Sequence, residues 1–362
     1  MAIYFVLLVL CFLAFRFLRQ KTALRVAFIA FALVAAFRAW TVGVDTEQFY
    51  GMYATVGKSD WSFDGIRYEY LYCVFVKILY SISQDPQLLL VVTSLFINFA
   101  YYRFIKTNTR NYMLATFLYV FMNMFFSNMN MMREAIAVSI VLLSFGLLRK
   151  HRYLLFLGFS LLAFFFHKTA IVAFLLAGLY WVAQYRHSKK VLIIGGIALF
   201  LGATALFSVA AGILGGTYSE YGESEFGSGN NIGAILEFGL YLVLFLVVVF
   251  GVGLGGRRSG ALGWEKGELA RFYQCLSIVI LIALALVIRM NIFNRLASFL
   301  TPFAILIVSE SALRLKFWRA PNHRLVMRTT CVVLFAYWLT IALLRPEWAG
   351  CSDYAFFWQV AA

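Results

Sequence analysis

Twelve apolar runs follow one another along this chain, most of them joined by short links: 2–18, 22–40, 87–104, 111–127, 131–149, 153–167, 169–185, 191–213, 233–254, 268–288, 291–312 and 325–344. A run of about 20 apolar residues, rising 1.5 Å per residue, matches the hydrocarbon thickness of a bilayer. In lipid the backbone must satisfy its own hydrogen bonds, so such runs are read as helices. No period-two alternation of the outer-membrane barrel kind is present, and no internal repeat points to an inverted-repeat transporter. The expected fold is all-α: a polytopic transmembrane bundle of about twelve spans, forming a single integral membrane domain over residues 1–362. Charge agrees, since 13% of the residues are charged where a soluble domain carries about 25%. No room is left for a separate catalytic domain. Met1–Leu18 lacks a basic leader and a small-residue cleavage site, so it is read as a retained first helix.

The net charge of +15 does not form the continuous basic stripe of a nucleic-acid binder. It comes in small groups between the runs: Arg16, Arg19, Lys21 and Arg25; Arg103, Lys106 and Arg110; Arg149, Lys150 and Arg152; Arg186, Lys189 and Lys190; Arg257 and Arg258; then Arg314 to Arg328. These links are expected to be cytoplasmic. That choice places residues 41–66 and 214–232 in outer, periplasmic loops. It also leaves 68–82 unable to cross, because 87–104 already returns the chain. With Lys77 at its centre, where a mid-bilayer charge costs about 2.5–3.5 kcal/mol, the stretch 68–82 is expected to be a re-entrant or interfacial helix. Most of the acids then fall at the outer face, among them Asp45, Glu69 and Glu134, although acids do little to set topology.

Several basic groups stand outside the cytoplasmic clusters: Arg38, Arg67, Arg133, His167 with Lys168, Arg289 and Arg295. Each has a plain reading as a headgroup or acid partner. Five arginines gathered on one face with a histidine suit a shared anion better, because guanidinium grips phosphate through paired hydrogen bonds. The Gly-rich polar stretch from Gly215 to Gly233, with Tyr218 and Tyr221, suits a carbohydrate surface. The five cysteines show no metal-ligand or disulfide spacing, so no metal and no cofactor is expected.

The order Arg38, Asp45-Thr46, Tyr50, then Tyr68-Glu69-Tyr70, then Arg133 in R-x-x-I-A, then Leu162 to His167, then paired tyrosines in the next outer loop, resembles the EpsG/Wzy family of bacterial surface-polysaccharide polymerases. The resemblance is strongest over 128–175. It implies a metal-independent membrane glycosyltransferase of GT-C-like helical architecture in the bacterial inner membrane, its active site facing the periplasm. Such an enzyme takes undecaprenyl-pyrophosphate-linked oligosaccharides as donor and acceptor, amid membrane lipids and alongside a chain-length regulator protein. A glycosyl pyrophosphate already carries a good leaving group, so stabilising the departing charge matters most. On this reading Arg38, Arg133, Arg289 and Arg295 are candidates for the pyrophosphate. Tyr50, Arg67, Tyr218 and Tyr221 are candidates for the glycan, and His167, Asp45 or Glu69 for activating the acceptor. The competing readings are an O-antigen ligase, a lipid-linked oligosaccharide flippase or other transporter, and an acyltransferase.

Overall fold

The structure is a computed structural model that describes residues 1–214, 232–254, 267–312, 323–344 and 350–360. Two compact units divide the chain: residues 1–171 with 325–362, and residues 172–324. Every regular element among the described residues is helical.

The first unit begins with α1 (Ala2–Phe17) and α2 (Gln20–Ala36), then α3 (Thr46–Lys58), α4 (Tyr70–Ile82) and α5 (Gln87–Asn108). There follow α6 (Tyr112–Phe121), α7 (Met124–Asn130), α8 (Met132–Arg149), α9 (Tyr153–Phe166) and a 3-10 turn, Lys168–Ile171. Its core is a row in which α1 packs on α2, α2 on α5, α5 on α8 and α8 on α9. Alanines at 23, 27, 32, 35 and 36 let α2 approach closely, and rings such as Phe28, Phe31, Tyr119 and Phe125 fill the space beside it. The second unit holds α10 (Val172–Val182), α11 (Ser188–Leu214), α12 (Ile232–Leu254), α13 (Glu268–Arg289), α14 (Asn294–Ala297) and α15 (Phe303–Ala312). Here α13 is the hub on which α10, α11 and α12 pack. The last helix, α16 (His323–Leu344), runs almost wholly in the first unit, where Trp338 meets Phe5, Phe121 and Phe126.

Three helical stretches among the described residues are long and apolar enough to cross a membrane: Gln87–Asn108, Ser188–Ala205 and Glu268–Arg289. Shorter apolar stretches of 10–17 residues include Ala2–Phe17, Tyr153–Phe166, Ile232–Leu246 within α12 and Arg328–Leu344 within α16. Each expected run coincides with a helix, but two are broken. Run 111–127 divides where Asn123 takes a left-handed backbone, φ 62°, a conformation asparagine tolerates better than most residues. Run 291–312 becomes a 3-10 turn, α14 and α15, with Pro302 before α15, where its missing N–H does no harm. Residues 41–66 are more than a loop, since they contain α3. The stretch 215–231, with Tyr218 and Tyr221, lies outside the described residues.

Helix α4 is 13 residues long, about 20 Å at 1.5 Å per residue, short of a roughly 30 Å crossing. Helix α9 has 14 residues, so length alone does not single out α4. Its pairing with α3 does. Lys77 donates to the carbonyls of Ser59 and, at 3.3 Å, Gly57, and stands 5.2 Å from the Trp61 ring. The cation thereby satisfies the carbonyl end of α3, where the helix dipole favours it. Gly57 is required there, since a Cβ would meet the Tyr80 ring at 2.1 Å.

Candidate active site

The site assembles where three helix ends meet in the first unit. Glu69 precedes α4 with an extended backbone and does not cap the helix with its side chain. Its carboxylate instead reaches residues 64 and 98 positions away. One oxygen, Oε2, accepts from Arg133 Nη1 at 2.6 Å; the other, Oε1, lies 3.0 Å from His167 Nδ1 and accepts from the Lys168 backbone N–H at 3.3 Å. On the far side of the imidazole, His167 Nε2 stands 3.4 Å from Glu134 Oε2, an ion-pair distance outside hydrogen-bond geometry.

Local structure explains these directions. Arg133 and Glu134 occupy the first turn of α8, where the dipole favours an acid and opposes a cation. The arginine is tolerated because Glu69 neutralises it. Successive residues on a helix point about 100° apart, so the two neighbours do not face each other. Arg133 turns outward, and Glu134 turns into the core beside His167. The chain leaves α9 at His167 with an extended backbone, φ −158° and ψ 121°, which swings the ring across toward α4 and α8.

Side-chain exposure falls steadily along this path: Arg133 19%, Glu69 11%, His167 8% and Glu134 5%. Arg133 therefore forms the mouth and Glu134 the floor. The guanidinium stands 4.4 Å from the Tyr68 ring centre and 5.9 Å from Phe49 and Tyr72, an aromatic box that shields part of the charge from water. Burial works against ionisation of Glu69, yet the His167 contact and the Arg133 charge prevail and hold its carboxyl at about 2. Burial likewise opposes the charged form of His167, but Glu134 and Glu69 outweigh it and raise the ring above its ordinary value. With the imidazole protonated, two cations and two anions balance. Because the two carboxylates take opposite ring nitrogens, they do not converge on one point, and among the described residues no histidine, cysteine and carboxylate group is arranged to hold a metal.

Of the residues expected at a site, Glu69, Arg133 and His167 come together. Asp45 begins α3 one turn before Phe49, whose ring stands against Arg133. Arg67 is exposed, its guanidinium 5.5 Å from the Tyr68 ring centre. Tyr50 packs against Trp40 at 6.5 Å. Arg38 is completely buried elsewhere and donates to the carbonyls of Ala35 and, at 2.9 Å, Met129, and to Ser94 Oγ at 3.2 Å. Arg289 and Arg295 belong to the second unit, where Arg289 stands 5.2 Å from the Phe200 ring. Glu134 is the residue that sequence reasoning passed over as one more outer acid. Its signal was a carboxylate immediately before the apolar face Ala135–Leu142, with a neighbouring arginine that helix geometry turns away from it.

The model of the EpsG family matches residues 21–356, nearly the whole chain and all four residues of this path. The chain belongs to the EpsG family. Membership, with the apolar helices, makes it a membrane protein of polysaccharide biosynthesis with a polymerase-type role. No curated protein matches the chain, and no solved structure does. In this EpsG-family chain the matched segment thus takes in Glu69 as well as Arg133, Glu134 and His167.

Proposed function

We propose that this protein polymerises polysaccharide by transferring a glycan from one undecaprenyl pyrophosphate to the sugar of another lipid-linked repeat unit, at the periplasmic face of the inner membrane. The observation that carries this reading is the connected path Glu134–His167–Glu69–Arg133, which runs from the buried floor to the half-buried mouth.

The path works by orientation. Glu134 and Glu69 hold the imidazole between them; the imidazolium and the Lys168 N–H fix the Glu69 carboxylate; that carboxylate fixes one edge of the Arg133 guanidinium. A guanidinium has five N–H donors in a rigid fork, so an edge turned from Glu69 grips the donor pyrophosphate. Held among these rings, a preorganised cation stabilises the charge that gathers on the leaving group as the glycosidic bond breaks. Arg67 and Lys168, both exposed beside this mouth, add positive potential toward the substrate.

Acceptor activation is assigned to Asp45. Both nitrogens of His167 face carboxylates, and Glu69 is held too acidic to take a proton well. Asp45 is half-buried and shares a face of α3 with Phe49, as residues four apart do. The test is complementation of a polymerase-deletion strain, read as the surface-polysaccharide ladder on a gel. Asp45→Asn is expected to leave a single capped repeat and no ladder, with normal protein in the membrane. A strain without the chain that loses every repeat, including the single one, would instead indicate a ligase or a transporter.

A further inference from the structure

Arg133 stands in the first turn of α8 and Arg149 in the last, about 24 Å apart along sixteen residues at 1.5 Å each. At that far end, the last turns of α5 and α8 border a cavity of about 470 Å³, within the 300–1,000 Å³ of ligand pockets. Arg103 of α5, Arg149 of α8 and Lys150 just after it all line the cavity, and no acid does. Helix α5 is long and apolar enough to span a bilayer, so its last turns lie at a membrane boundary.

Cations at helix ends ordinarily serve the exposed carbonyls there. Here those carbonyls are already served. In α5 the Thr107 hydroxyl donates to the Arg103 carbonyl and the Asn108 amide to the Phe104 carbonyl, both at 2.8 Å. In α8 the Leu147 and Leu148 carbonyls accept from the backbone N–H groups of Lys150, His151 and Arg152. Arg149 donates to the neutral Asn108 Oδ1 at 2.6 Å. Among the described residues, the side chains of Arg103 and Lys150 make no hydrogen bond or ion pair. Three like charges thus share one cavity without a counter-charge, an arrangement that an anion relieves.

The surroundings choose the kind of anion. Leu143, exposed in the cavity wall, also lines an apolar groove of about 370 Å³ that continues between the same two helices past Phe96, Ile140 and Ile136. Hydrocarbon lying beside the anionic head has a place to go. Basic pockets between membrane helices suit phospholipid headgroups for the same reason.

We propose that the cavity between the ends of α5 and α8 seats the phosphodiester headgroup of an anionic phospholipid, with an acyl chain in the adjoining groove. The lipid tethers the last turn of the helix whose first turn carries Arg133 and Glu134, and its site is independent of the reaction proposed above.

Retention of phosphatidylglycerol against phosphatidylcholine by the purified full chain in detergent, read by native mass spectrometry, tests this. The intact protein is expected to prefer phosphatidylglycerol by about tenfold or more, and the Arg103→Gln, Lys150→Gln pair to bring the preference to about twofold or less. Arg103→Lys with Lys150→Arg keeps both charges and is expected to keep the preference, which separates lost charge from lost fold. A Cβ at Gly146, also in the lining, would meet nothing within 4 Å; Gly146→Trp is therefore expected to fill the cavity and lower retention with every cation in place. Arg19→Gln with Lys21→Gln removes two exposed cations outside the cavity and is expected to change little. Equal losses from this pair and from the cavity pair would reduce the effect to general surface charge and overturn the site. So would full retention in Gly146→Trp. Displacement of the lipid by inorganic phosphate at equal concentration would assign the cavity to a free anion and overturn the lipid.

Discussion

Arg38 and Arg133 are both arginines at helix ends in the same unit, and the fold treats them in opposite ways. Arg38 is sealed at the end of α2. Its guanidinium goes to backbone carbonyls and a serine hydroxyl, while its own backbone segment pairs with the returning chain near Phe356. Ala39 N–H donates to Ala355 O at 2.9 Å, Phe357 N–H to Phe37 O at 3.0 Å and Gly43 N–H to Gly350 O at 2.8 Å. Arg133 instead meets a carboxylate and three ring faces, with part of its surface open. A guanidinium that ends on neutral carbonyls ties segments together. One that ends on a carboxylate held by a further ion pair is oriented toward something yet to arrive. The difference teaches that an arginine's partners, more than its position at a membrane edge, reveal its use.

The strongest way to break this contrast is Arg38→Met. It leaves several buried acceptors without donors, each costing about 1–3 kcal/mol, so membrane levels and thermal unfolding temperature are expected to drop sharply. A stable, abundant Arg38→Met protein lacking only polymer would move Arg38 into the site. Arg133→Lys comes next. It keeps the charge but loses the fork, so folding is expected to persist while polymerisation falls about a hundredfold, the scale of removing one preorganised donor. Ladder intensity at matched protein level measures it, and a normal ladder would make Arg133 merely structural.

Glu134→Gln sharpens the comparison by touching the path at its floor, farthest from substrate. The expected cost is roughly 1–2 kcal/mol, with a smaller loss of polymer than in Arg133→Lys. Its signature is in pH. His167 is raised above its ordinary 6.5, so its contribution to stability is complete below that pH and lost as pH rises through the raised value. Without Glu134 the folded value is raised less, so the loss is expected to be smaller and to be complete at a lower pH. Glu69, held at about 2 against an ordinary 4.5, contributes above 4.5 and fails only as pH falls toward 2. An unfolding temperature that traces the same alkaline limb in both proteins would remove Glu134 from the path.

Much of this was legible in the residues. The apolar runs announced helices because lipid leaves the backbone no other choice, and the out-of-place Arg133 and His167 announced a site because each is costly where it stands. The breaks at Asn123 and before α15 were not legible, since a run of apolar residues reads alike whether it is one helix or two. Lys77 was read as a charge that keeps 68–82 from crossing; that it caps α3 depends on Gly57 letting two helices touch. Glu134 was seen only as one of many outer acids.

The sequence by itself determined that this chain is a bundle of apolar helices of the EpsG family, because periodicity and hydropathy are local properties summed along a strand of residues. Only the tertiary structure decided that Glu69 joins partners 64 and 98 residues away, that Arg38 faces carbonyls, and that Glu134 stands behind His167. Those facts depend on which helix faces pack together and on the 100° turn between neighbouring residues, and no local pattern records how separate helices meet.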